Sequence, residues 1–240
     1  MNWRRLIGKM SAGIGIIRGK VQPSFSQAGE DQVIRYLVND CLQLPQPVYL
    51  DIGTHHPIYG NNTYYFYMRG SRGVCIEPDP AYSELIKKFR NNDVFIQAGV
   101  GTGLDKGEFY LFPKGYSGWN TFSKEEALQR KKETGISFTI LKDVPLVNIN
   151  NVMKLYFNPW PNIISLDVEG LDLEILQTID FGKYQPEIIC VESITFSTSN
   201  EQEKINEIAN FVTGKGYFVF ADTYVNTIFC RTEAFKKIIR

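Results

Sequence analysis

The chain has 240 residues, with 26 basic and 26 acidic side chains and only two histidines, so its formal net charge is zero. That balance excludes a domain-wide nucleic-acid binder, which needs a positive field against phosphates. With 43% hydrophobic and 22% charged residues the chain is neither disordered nor fibrous, and a folded chain of this length buries roughly 70% of its unfolded surface.

Residues 1–24 read as a basic arm: Arg4, Arg5, Lys9, Arg18 and Lys20 precede the first acid, Glu30. Its apolar stretch is too short to span a bilayer. Such an arm suits an anionic membrane surface or a partner, or else stays solvated. Residues 25–240 read as one domain. Ser26 to Asp31 supplies an N-cap and first-turn acids for a helix whose apolar positions continue to Leu42. Val48 to Gly53 is a buried strand ending in a glycine turn, and a second helix spans about Asn61 to Gly70. Gly73 to Glu77 is the next strand, and Asp79 caps a helix that starts at Pro80 and runs to about Arg90.

Val94 to Ala98 forms the third strand, closed by Gly99, Gly101 and Gly103, with Glu108 to Phe112 as an added strand beside it. Residues 114–161 lie where a substrate lid would lie. They contain a charged helix, Ser123 to Glu133, and two short strands, Phe138 to Leu141 and Val144 to Ile149. Alternation then resumes: strand Ile163 to Leu166, helix Leu171 to Ile179, strand Glu187 to Glu192, helix Glu201 to Val212, and strands Tyr217 to Ala221 and Thr227 to Arg231. Strands alternating with helices give a mostly parallel α/β sheet covered on both faces. The connection between the last two strands is too short for a crossover, so they pair antiparallel. The expected fold is Rossmann-like, with the seven-stranded sheet seen in class I methyltransferases.

Cys41, Cys75, Cys190 and Cys230 form no C-x-x-C pair. Three of them lie in strand-like runs and read as buried, reduced thiols of a cytoplasmic protein.

Ligands of such sheets collect at the carboxyl ends of the strands. Strands one, two, four and five of the main sheet end in Asp51, Glu77, Asp167 with Glu169, and Glu192. Acids often cap strands and helices, but four at one rim of a neutral chain favour a cationic or hydroxylated ligand. Glu77 suits the two hydroxyls of an adenosine ribose, or is a surface acid before a turn. A nicotinamide dinucleotide would need a second glycine near its pyrophosphate. Here Gly53 is followed by Thr54-His55-His56-Pro57, which disfavours an NAD-dependent sugar oxidoreductase.

Taken in order, Ser26-Gln27-Ala28-Gly29-Glu30-Asp31, Asp51-Ile52-Gly53-Thr54-His55-His56-Pro57 with Asn61-Asn62-Thr63, Cys75-Ile76-Glu77-Pro78 and Leu166-Asp167-Val168-Glu169-Gly170 resemble the FkbM-type methyltransferases. The resemblance implies S-adenosylmethionine as cofactor and O-methylation, often of sugar or polyketide-derived hydroxyls. Cofactor contacts are expected at Asp51, Gly53, Asn62, Thr63, Glu77 and Val100, with Gln27 and Glu30. Catalytic candidates are His55, His56, Asp167, Glu169 and Glu192. A histidine beside the cofactor suits a general base, or else both histidines fix the loop. Asp167, Glu169 and Glu192 suit Mg²⁺, or else helix capping and an ion pair. Tyr116 and Trp119 would stack on a sugar or anchor the insertion. The alternative outside catalysis is a cofactor- or glycan-binding module.

Overall fold

Short apolar runs, buried on both faces, form the centre of the sheet in the computed structural model, which describes residues 22–197 and 201–236. Most of the basic arm, residues 1–21, lies outside the described residues. The strands are β1 (Tyr49–Ile52), β2 (Gly73–Ile76), β3 (Val94–Ile96), β4 (Gly99–Val100), β5 (Lys106–Leu111), β6 (Thr139–Val147), β7 (Ile163–Leu166), β8 (Ile188–Glu192), β9 (Tyr217–Asp222) and β10 (Asn226–Arg231). Seven of them form one sheet in the order β3-β2-β1-β7-β8-β10-β9. Pairing is parallel from β3 across to β8, and β10 runs antiparallel to both β8 and β9. This is the expected α/β, Rossmann-like class I methyltransferase sheet. The closing hairpin sets its second strand inside the sheet, so it makes two antiparallel pairings and not one at the edge.

Helices cover both faces. They are α1 (Glu30–Tyr36), which runs into a π-helical turn at Leu37–Cys41, then α2 (Tyr64–Met68), α3 (Pro80–Phe89), α4 (Lys124–Thr134), α5 (Ile149–Tyr156), α6 (Asp172–Thr178), α7 (Asn206–Thr213) and α8 (Thr232–Lys236). Side chains alternate across the strands. Leu50 and Ile52 join a core with Met153, Ile175, Leu176 and Ile208 of α5, α6 and α7. Tyr49 joins the opposite core with Ile34, Leu37 and Phe66. Cys75, Cys190 and Cys230 are buried free thiols in β2, β8 and β10.

Four expectations are corrected. The segment around Phe109 does not pair with β3: β5 pairs with β6 in a separate small sheet ordered β4-β6-β5. The two short strands expected at 138–149 are one strand, β6. Its pairing with β5 shifts register between Gly107 and Phe109, opposite Lys142 and Asp143, where Asp143 has φ 56°. A bulge of this kind puts a polar break into the hydrophobic pattern. Helix α5 was missed, although Asn148 caps it by accepting from the Asn151 N–H and its buried Ile149, Val152 and Met153 keep helical spacing. Helix α7 also starts later than expected, because Thr195 and Glu203 hold the preceding chain extended through the Ile194–Lys204 bridge.

Behind β1 a single guanidinium ties the sheet to its first loop. Arg90 is fully buried; its Nε donates to Asp93 at 2.7 Å and its Nη2 to the Thr63 hydroxyl at 2.9 Å. Its Nη1 donates to Asn61 Oδ1 at 3.2 Å and lies 3.8 Å from Asp51. Arg90→Met leaves two buried carboxylates without their cation. It is expected to destabilise the fold by about 3–5 kcal/mol, read from urea unfolding midpoints; a loss under about 1 kcal/mol would contradict this assignment.

Candidate active site

At the carboxyl end of β1 the chain turns sharply. Gly53 has φ 78°, and a Cβ there would sit 1.7 Å from the Asp167 carbonyl oxygen, so only glycine lets β1 and β7 end side by side. His55 follows with φ 47°. Its N–H donates to Glu77 Oε2 at 2.7 Å, and its Nε2 lies 3.0 Å from the Ser117 hydroxyl, which in turn lies 2.7 Å from the Tyr82 hydroxyl. Burial holds its pKa below the ordinary histidine value, with Asp79 opposing. His56 does a different job. Its Nδ1 accepts from the backbone N–H groups of Ile58 and Tyr59, each at 3.1 Å, which fixes the loop and keeps that nitrogen unprotonated.

These ends open on a cavity of about 410 Å³. Of the predicted residues, Gln27, Gly53, His55, Glu77, Val100, Asp167 and Glu169 line it. No Lys or Arg does. Glu77 is held by two backbone donors, His55 N–H on Oε2 and Asp79 N–H at 2.8 Å on Oε1. Burial nonetheless pushes its pKa up to about 8. Phe109 of β5 and Phe122, with ring centres 4.6 Å apart, supply an aromatic wall near Val100 that the sequence reading missed. Such a wall is visible only once β4, β5 and β6 are known to form their own sheet.

Other predicted residues do not line the cavity. Asp51 accepts from Asn61 Nδ2 at 3.0 Å and from the Thr63 hydroxyl at 2.7 Å. The Asn62 amide donates to Ser165 Oγ at 3.2 Å. Glu30 accepts from Thr223 and Asn226, tying α1 to the closing hairpin, and these bonds hold its pKa low against the cost of burial.

Asp167, Glu169 and Glu192 offer carboxylate oxygens within 4.8 Å of one another. Glu169 is paired with Arg130 of α4 at 3.0 Å. Asp172 accepts from the N–H groups of Val168 and Gly170 and so shapes the turn after β7. The Asp167 and Glu192 carboxylates make no hydrogen bond or ion pair among the described residues. With Glu169 committed to Arg130, only two free carboxylates remain, a partial shell for an oxygen-seeking cation.

Burial and mutual repulsion raise the pKa values of Asp167 to about 6, Asp172 to about 7 and Glu169 to about 8, and push Glu192 well above the carboxylate range. A raised acid keeps its proton in the folded state after the unfolded chain has lost it, so its contribution falls as pH climbs through that window. Resistance to urea is therefore expected to be higher at about pH 5 than at about pH 8, measured at fixed ionic strength; the reverse trend would contradict the cluster's reading.

A profile of the methyltransferase FkbM domain matches residues 51–219. The chain belongs to the FkbM methyltransferase family. No curated protein sequence matches it. Among solved structures it is similar to a precorrin-6y C5,15-methyltransferase from Geobacter metallireducens, at 15% identity and TM-score 0.40, covering 83% of this chain and 87% of that one. It is also similar to an O-methyltransferase from Bacillus cereus in complex with S-adenosylhomocysteine, at 11% identity and TM-score 0.39, covering 90% and 86%. A third is the 1,6-didemethyltoxoflavin-N1-methyltransferase of Burkholderia thailandensis, at 9% and 0.40, covering 94% and 84%.

Proposed function

We propose that this FkbM methyltransferase uses S-adenosylmethionine to methylate a hydroxyl group, on a sugar or glycan. When bound, S-adenosylmethionine supplies an electrophilic methyl on a positively charged sulfur. The residues present suit that molecule: Glu77, Asp167 and Glu169 line the cavity and, among the described residues, no cation does. Carboxylates accept from ribose hydroxyls and from an ammonium group and lie favourably beside a sulfonium, whereas a dinucleotide's pyrophosphate would find no cation among the described residues to balance its charge. Glu77, with its orientation fixed by two backbone N–H groups, would hold the ribose. Val100, Phe109 and Phe122 offer apolar surface for the adenine.

The observation that carries methyl transfer to a hydroxyl is Asp167. Its carboxylate stands at the end of β7, lines the cavity and is unpaired among the described residues, and its pKa is raised to about 6. A base of that strength is largely ionised at neutral pH and accepts the hydroxyl proton as the oxygen attacks. Glu192 and Glu169 stand within 4.8 Å to share that proton. His55, with its imidazole bonded to Ser117 and its N–H on Glu77, positions the cofactor loop. The test is incubation with S-adenosylmethionine and a panel of glycosides and polyols. The expected result is a mass gain of one methylene unit on a hydroxyl compound with equimolar S-adenosylhomocysteine; methylation confined to amines or carbon acceptors would overturn the reading.

A further inference from the structure

Three aromatic rings from segments far apart in the chain meet beside the carboxylates. Tyr116 and Trp119 bracket the helical turn Ser117–Trp119, with ring centres 4.7 Å apart. Trp119 meets Phe196, which follows β8, edge to face at 5.1 Å. Tyr116 is 42% exposed, and Trp119 and Phe196 are half-buried. Arg130 binds this ledge to the acids. Its Nη1 donates to the Trp119 carbonyl at 2.7 Å, its Nη2 reaches Glu169 at 3.0 Å, and its guanidinium carbon lies 5.0 Å from the centre of the Phe196 ring.

A pyranose ring has one face of C–H groups that packs on aromatic rings and a rim of hydroxyls that carboxylates accept from. Phosphates, in contrast, are gathered by Arg and Lys forks or by free backbone N–H groups. Among the described residues, the one cation that acts on Asp167, Glu169 and Glu192 is Arg130, and Glu169 and Glu126 already share its charge. Lys204, near the end of β8, is paired with Asp222 at 2.8 Å. A phosphate here would meet three acid groups within 4.8 Å of one another and no uncommitted cation among the described residues, in a site where burial weakens screening.

We infer that the Tyr116–Trp119–Phe196 ledge with Asp167 and Glu192 is the acceptor subsite, and that it selects an uncharged sugar ring over the phosphorylated or nucleotide-activated form of the same sugar. This rests on the proposed transfer to a hydroxyl. It places methylation on a free glycoside or a finished glycan, after the glycosyl transfer that removes the nucleotide or before the phosphorylation that would precede activation.

The test offers glucose, galactose and mannose each as the methyl glycoside, the 1-phosphate and the nucleoside-diphosphate ester, with S-adenosylmethionine as donor. The neutral form of a sugar that turns over is expected to show a kcat/KM about tenfold or more above its charged forms, and Tyr116→Ala to raise its KM by about tenfold while leaving S-adenosylhomocysteine affinity unchanged. Charged forms that turn over as well or better overturn the selectivity and leave hydroxyl methylation standing. A methyl that arrives only on an amine or carbon acceptor overturns both. If no member of the panel turns over, binding decides. Neutral glycosides must quench tryptophan fluorescence in the wild type and not in Trp119→Ala, and absence of that quenching overturns the subsite.

Discussion

At about pH 9, above the value of about 8 to which burial pushes the Glu77 carboxyl, Glu77→Gln is expected to weaken S-adenosylhomocysteine binding by about ten- to a hundredfold, since hydrogen bonds to a charged group contribute roughly 1.5–3 kcal/mol. The carboxylate accepts on both oxygens, from His55 N–H and Asp79 N–H. A glutamine must turn its NH₂ toward one of those two donors, so either the loop after β1 or the start of α3 loses its acceptor. Titration calorimetry on wild type and variant measures the difference. An unchanged dissociation constant would remove Glu77 from the ribose site.

The second large effect is on turnover. Asp167→Asn removes the unpaired carboxylate without changing shape, and kcat is expected to fall by about 10² to 10⁴, the span of a positioned general base. Because Asp167 accepts the proton only when ionised, wild-type kcat/KM rises with pH through about 6, where burial and its acidic neighbours have moved its pKa. The variant is expected to lose that limb. Rates and pH profiles on the same acceptor settle it: full activity in Asp167→Asn, or an unchanged acid limb, places the base elsewhere.

Much of this site was legible in the chain. Strand ends announce themselves where an apolar run meets an acid or a glycine, and Gly53, Glu77 and Asp167 all carry that mark. Two further outcomes needed three dimensions. The adjacent histidines are alike in sequence, yet one φ of 47° sends the ring of His55 to the cavity while His56 folds back on Ile58 and Tyr59. Asp51, Asn62 and Thr63 stand in the matching motif, but Asn62 bonds across to Ser165, and Asp51 and Thr63 bond behind β1, where Arg90 from the end of α3 packs. Arg130 had no local signal at all; a charged helix reads as solvated until its one buried arginine is seen to reach Glu169. The small sheet of β4, β5 and β6 was hidden for a related reason. Its strands are separated by a helix and a bulge, and neither produces a clean period of two.

The central claim is that the methyl group ends on oxygen. Carbon-13 NMR of the product formed with S-adenosylmethionine labelled at its methyl carbon tests it most directly. The expected result is a single new labelled resonance in the methyl-ether region, correlated through the ether oxygen to a sugar ring carbon. A labelled resonance in the N-methyl or C-methyl region would contradict it.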